Sequence, residues 1–241
     1  IAENKNTSAA TTRKIIEKLL SCSCHHVIKY VARNSHTPES ILISWSSSKY
    51  YQKFYPDLAQ NPSMPPIILD RLAKKKLNYK VALGLVKNSR ISAEIIESLF
   101  AIYQYVWDYK YLCKFNKAIA CNPNTPSSIL DRIKFYRDNY GNSFYLAQHR
   151  NTSEKTLISI SKYHPQYGSI LLKHPNLPSI ALENILNRKA TSFQISDRKF
   201  AARYPHTPIS LLEKLAQDKD YGVRRAAQYR LEQYNNSGDH D

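Results

Sequence analysis

The 241-residue chain has only five glycines (Gly84, Gly141, Gly168, Gly222 and Gly238), and no two of them lie close together. Phosphate-cradling loops need closely spaced glycines so that the backbone can approach the ligand, so Rossmann-type and Walker-type nucleotide sites are not expected. The same scarcity argues against a fold built from many tight β-hairpins. Four cysteines (Cys22, Cys24, Cys113 and Cys121) are too few and too irregular for a disulfide framework, and the expected compartment is the reducing cytoplasm. No stretch approaches the roughly 18 uninterrupted apolar residues of a membrane-spanning helix, and Ile1-Ala2-Glu3-Asn4 is no signal peptide. The one methionine is Met64, so the chain is expected to be a trimmed piece. Acidic residues are also short, 19 against 35 Lys and Arg, which leaves a formal net charge of +16. That surplus favours an anionic partner: nucleic acid, an acidic protein or a membrane surface.

What the chain does contain is a repeat. Asn122-Pro123-Asn124-Thr125-Pro126 leads into Ser127-Ser128-Ile129-Leu130-Asp131-Arg132-Ile133, and Tyr204-Pro205-His206-Thr207-Pro208 into Ile209-Ser210-Leu211-Leu212-Glu213-Lys214-Leu215. The block recurs around Thr37-Pro38, Met64-Pro65 and Leu177-Pro178, and in degenerate form at Ser8, Ser92 and Ser153. Eight copies anchored at 8, 38, 65, 92, 126, 153, 178 and 208 stand 25–34 residues apart. Four residues before the anchor runs a column of Asn4, Asn34, Asn61, Asn88, Asn122, His149, His174 and Tyr204; seven after it, every copy is apolar. Thr followed by Pro predicts an N-cap with Pro at the first helical position, and apolar residues three, four and seven past the anchor share one face of a first helix. A second helical segment ends at the Asn column and carries pairs such as Val31/Ala32, Leu58/Ala59 and Ala201/Ala202, whose small residues let neighbours approach. Asn, often with Pro behind it, breaks that segment. Neither helix can bury its stripe alone, so the units must stack.

These residues resemble the leucine-rich repeat variant family, most closely from Tyr204 to Tyr229, and the resemblance spans about residues 1–231. It implies an all-α, right-handed superhelical solenoid of about eight two-helix repeats, with an α-helix and a shorter, often 3₁₀, helix in each unit. HEAT-like helical pairs are the structural alternative. The expected organisation is one solenoid over 1–231 and a disordered tail over 232–241.

Charge follows the repeat. Positions one and five residues before the Asn column share a face of the second helix. Of those 17 positions eight are basic (Lys29, Arg33, Lys87, Lys117, Lys173, Lys199, Arg203 and Arg224) and one is acidic, whereas the outward first-helix positions are balanced. At about 10 Å per packed helix, eight units would carry this stripe over some 80 Å. The expected role is a non-enzymatic, monomeric binding scaffold, most simply a protein–protein adaptor that engages an acidic partner. Nucleic-acid backbone binding along the same face is the alternative, with affinity falling steeply in salt. Secondary candidates are the basic run Arg71, Lys74, Lys75, Lys76 and Lys80, and the longest unit's Tyr105 and Trp107 with Lys110 and Lys114. The Tyr and Trp residues of that unit are expected to pack inward as an extra helical turn.

Catalytic, cofactor and metal residues are not expected. Cys22-Ser23-Cys24-His25-His26 has ligand-like density but lacks the four-ligand spacing of a zinc or iron–sulfur site. His149 and His174 occupy the Asn column, which predicts a role in the turn. Acids such as Asp131 recur from unit to unit as scaffold, and no nucleophile elbow or zinc-protease motif is present. A lone acid in a basic groove, as in helical-repeat DNA glycosylases, is the remote enzymatic alternative.

Overall fold

The computed structural model describes residues 9–19, 24–74, 78–105, 109–133 and 141–237, and every regular element among them is helical. The chain divides into two compact units, Ile1–Tyr145 and Leu146–Asp241, where the sequence pattern predicted a single array over 1–231. In the first unit the helices following the anchors are α1 (Ala9–Leu19), α3 (Glu39–Ser47), α5 (Pro66–Ala73), α7 (Ala93–Tyr103) and α9 (Ser127–Leu130). Their second-layer counterparts are α2 (His25–Arg33), α4 (Tyr55–Ala59), α6 (Tyr79–Val86) and α8 (Tyr109–Cys121), and the division between units falls within α10 (Asn142–Gln148). The second unit alternates α11 (Glu154–Tyr163), α12 (Gly168–Leu171), α13 (Ser179–Ala190), α14 (Ile195–Arg203), α15 (Ile209–Leu215) and α16 (Tyr221–Ser237). A 3₁₀ segment precedes α4 (Lys49–Phe54) and α12 (Pro165–Tyr167); the other described second segments are plain α-helices. Within each unit, like packs on like: α2, α4, α6 and α8 in succession, α3 on α5 and α5 on α7; then α11 on α13, α13 on α15 and α14 on α16.

The periodic apolar columns form the core. Leu42, Leu58, Leu69, Leu85, Ile96, Leu99 and Ile119 are fully buried, as are Ala32, Ala59, Ala201 and Ala202 on the second helices. The second helices approach closely at Gly84 of α6, where an added Cβ would stand 2.6 Å from the Pro56 carbonyl oxygen of α4. Only a residue without a side chain permits that spacing.

The turns correct the expected caps. Pro38, Pro65, Pro126, Pro178 and Pro208 occupy the N-cap itself, not the first helical position. The ring holds φ near the value the N-cap needs, while the carbonyl is still free to accept the first helical bonds, as Pro38 does from Ile41 and Leu42. The threonine before it therefore does not cap the helix. Thr37, Thr125, Thr152 and Thr207 donate their hydroxyls backward, each at 2.6 Å, to the carbonyls of Val31, Ile119, Leu146 and Ala201 in the preceding helix. Where Pro is missing, Ser92 and Ser153 cap by side chain, accepting from the backbone N–H of Ile95 and Thr156.

The Asn column links the repeats. Asn61 Nδ2 donates to the carbonyls of Ala32 and Asn34, Asn88 to those of Ala59 and Asn61, and Asn122 to those of Val86 and Asn88, all at 2.7–2.9 Å. The same side chains use Oδ1 to accept the N–H two residues on, from Ser63, Arg90 and Asn124. Each buried carboxamide thus closes its own turn and ties two carbonyls of the unit before it. His149 and His174 copy the turn with Nδ1, which accepts from Asn151 and Asn176, and His174 Nε2 reaches the His149 carbonyl at 3.0 Å.

At the C-terminal end α16 continues to Ser237, beyond residue 231, so residues 232–237 are helical where a disordered tail was expected. Leu231, Glu232 and Gln233 are good helix formers, and no Pro or Gly interrupts the run before Gly238.

Asn88→Ala should lower stability by about 2–4 kcal/mol, because two buried carbonyls and the Arg90 N–H lose their partner together. Urea denaturation of the full chain followed by circular dichroism measures it. Gly84→Ala should also destabilise, through collision with the Pro56 carbonyl.

Candidate functional site

The eight repeat-phased cations lie on the second helices or within the turn that follows them, but they are not equivalent. In the first unit Lys29 and Arg33 sit on α2, Lys87 follows α6 and Lys117 is on α8. Lys29 and Lys87 are exposed and make no ion pair among the described residues. Arg33 instead donates from Nε to Asp57 Oδ1 at 2.5 Å, and the Asp57 side chain is only 10% exposed, so this arginine neutralises a mostly buried acid on the next repeat. Lys117 lies 4.8 Å from the centroid of the Tyr145 ring, and its hydrogen bond with the Tyr145 side chain raises its pKa above the usual lysine value. Between α2 and α6 the row carries only Pro56 and Gln60 of the α4 repeat, so the charge is interrupted.

In the second unit Lys173, just past α12, and Arg203, at the end of α14, are exposed and free of ion pairs among the described residues. Lys199 pairs with Asp220 at 3.3 Å. Desolvation pushes the Asp220 carboxyl up, but the Val223 N–H and Lys199 outweigh it and hold the group below its usual range. Arg224 donates to the backbone carbonyls of Asp218 and Lys219 at 2.7 and 2.9 Å, and its guanidinium lies over the Tyr221 ring. The uniform stripe anticipated from the sequence is therefore corrected: Arg33, Lys199 and Arg224 hold the fold, Lys117 is engaged with Tyr145, and Lys29, Lys87, Lys173 and Arg203 remain available.

Secondary candidates divide similarly. Arg71, Lys80 and Lys114 are exposed, Lys110 is exposed but engaged, and Lys74 pairs with Asp70 one helical turn away. Lys75, Lys76 and Trp107 lie outside the described residues. Tyr105 is 76% exposed, against the expectation of inward packing, whereas Tyr103 joins Tyr79 and Phe115 in an aromatic cluster between α6, α7 and α8. Tyr79 also donates its hydroxyl to the Tyr111 carbonyl at 2.7 Å. Among the described residues no three His, Cys, Asp or Glu side chains converge as a metal site, and His25 Nε2 meets Lys53 Nζ. No helix among them is long and apolar enough to cross a membrane.

Sequence reasoning missed the acids that consume these cations, and it missed Arg198. That guanidinium, 6% exposed, donates from two nitrogens to the two Asp218 oxygens at 2.7 and 3.1 Å, and from the third to the carbonyls of Ser192 and Phe193. A usable signal was present. Asp57, Asp218 and Asp220 stand 24, 20 and 21 residues after Arg33, Arg198 and Lys199, each on the repeat that follows. Searching the following repeat for an acid 20–24 residues on finds all three.

No protein-family model matches the chain, and no curated protein does. Among solved structures, two crystal structures of engineered proteins from a structural genomics consortium are similar. One has 16% identity, covering 94% of this chain and 69% of its own length at a TM-score of 0.29. The other has 15% identity, covering 95% and 98% at a TM-score of 0.23. A designed armadillo repeat protein has 12% identity and covers 91% and 98% at a TM-score of 0.20. The helical-repeat fold rests on the hydrogen bonding and packing described above.

The Arg198 guanidinium holds the Asp218 carboxyl below its usual range, chiefly through the hydrogen bond between them. A depressed carboxyl contributes stability that is present above its unfolded pKa and lost as the pH falls through its folded one. Asp218→Asn should therefore lower the thermal midpoint at pH 7. The gap between variant and parent should shrink progressively below about pH 4, as scanning calorimetry across pH 2–7 can show.

Proposed function

We propose that this chain is a non-enzymatic helical-repeat scaffold of the leucine-rich repeat variant type, and that each of its two units engages an acidic protein segment through its own exposed cations, Lys29 and Lys87 in the first and Lys173 and Arg203 in the second. The observation that carries the reading is that these four cations are exposed and uncommitted while their repeat-phase neighbours serve as structural partners. A duplex or single strand presents phosphate at short, regular intervals and rewards an unbroken row of cations. In the first unit the row is broken by the neutral Pro56 and Gln60. Discrete cations separated by neutral and aromatic surface suit a protein partner, whose acids are themselves discrete. The second unit also exposes aromatics: Phe200 follows Lys199 on α14, and Tyr221 and Tyr229 lie on α16. Free thiols at Cys24, Cys113 and Cys121 accord with work as a monomer in a reducing, cytoplasmic setting.

A fluorescein-labelled ten-residue glutamate peptide tests the reading by anisotropy at about 50 and 150 mM salt. Binding should weaken about tenfold or more in the Lys29→Gln, Lys87→Gln, Lys173→Gln, Arg203→Gln quadruple variant. A labelled oligonucleotide should not bind at the higher salt. Oligonucleotide binding that persists there with a slope of several counterions would move the function to nucleic acid.

A further inference from the structure

The second unit contains a cavity of about 630 Å³ that the cation row does not explain. Its walls come from the α11–α12 junction on one side and the α13–α14 junction on the other, including Ser161, Gly168, Ser169, Arg188, Phe193 and Asp197. Second-layer helices elsewhere in this unit close on each other, as α14 does on α16. Helix α12, only Gly168–Leu171, is too short to cover the N-terminal half of α14, and the cavity opens where that cover would lie. A volume of this size is in the range that binds a ligand or a few peptide residues.

The charge inside it is unbalanced. Lys189 donates to Asp197 Oδ1 at 2.8 Å, and that pair cancels. Arg188, adjacent in sequence and exposed, makes no ion pair and its guanidinium has no hydrogen-bond partner among the described residues. One uncompensated guanidinium therefore lines the cavity, a fork suited to a carboxylate.

The rim carries Phe193, which is 98% exposed. Exposure on a floppy loop would say little, but this loop is fixed from below. Arg198, clamped by Asp218, donates to the carbonyls of both Ser192 and Phe193; Ser192 Oγ donates to Asp197 Oδ2 and accepts the Gln194 N–H. The mostly buried ion pair thus holds a bare aromatic ring beside a cationic hollow. A preorganised aromatic loses little freedom on binding, which is what makes such residues effective anchors.

We infer that this cavity is the specificity-determining subsite of the scaffold: it accepts an extended acidic peptide in which a carboxylate pairs with Arg188 while a neighbouring apolar side chain packs on Phe193. The inference rests on the proposed acidic partner and adds a sequence requirement that the cation row alone does not impose.

The test uses the full chain and two labelled decapeptides, one all glutamate and one with a single central phenylalanine among glutamates. The phenylalanine peptide should bind about tenfold more tightly. Phe193→Ala should abolish that preference and leave glutamate-peptide binding unchanged. Arg188→Gln should weaken the phenylalanine peptide about fivefold or more. Both substitutions are at exposed positions, and matching circular dichroism spectra and thermal midpoints will show that the fold is kept. Equal binding of the two peptides, or a preference that survives Phe193→Ala, overturns the subsite and leaves the acidic-partner reading standing. Failure of both peptides to bind overturns both.

Discussion

A buried carboxamide donating to two carbonyls of the preceding repeat is the interaction on which the stacking depends. Helix pairs with apolar stripes can pack in many registers, because hydrophobic contact has no direction. Hydrogen bonds from Asn61, Asn88 and Asn122 have direction and length, and they fix each unit one step from the last. They also settle a debt common to all helices, whose final carbonyls lack an internal partner. Ala32, Ala59 and Val86 lie at the ends of α2, α4 and α6, and the next repeat's asparagine supplies the missing donor. Histidine keeps the pattern in the second unit because its two ring nitrogens can divide the same accepting and donating tasks.

Much of this was legible in the sequence. The anchors locate the start of each described first helix, and the Asn column follows the end of each described second helix up to α14. Apolar spacing identified the buried residues, since Leu42, Leu69, Ile96 and Leu211 occupy the predicted phase. What could not be read were the details of connection. Thr-Pro has two physically reasonable readings at a helix start, and the choice depends on whether the preceding helix leaves a carbonyl within reach of the hydroxyl. Tyr105 and the helical span 232–237 were misjudged because composition alone does not say whether a neighbouring element covers a side chain or an extension.

The candidate face was legible in position but not in availability. Periodicity shows that Arg33, Lys199 and Arg224 share a phase with Lys29, Lys87 and Arg203; it does not show which of them meets an acid. Those acids belong to the following repeat, so the partnership appears only when one unit is laid on the next. The same packing that lays one second helix on the next therefore engages part of their positive charge. Arg198 illustrates the extreme case, a cation drawn almost wholly inside to meet Asp218 and to hold up the turn before α14.

The carboxamide bonds have a polarity along the chain. Asn61 reaches back to 32 and 34, Asn88 to 59 and 61, Asn122 to 86 and 88, Asn124 to Ser89 and Ile91, and His174 to His149. In every instance the donor is younger, in order of synthesis, than its acceptor. A repeat emerging from the ribosome accordingly finds its docking carbonyls already made, and the array can be laid down in the direction in which it is translated.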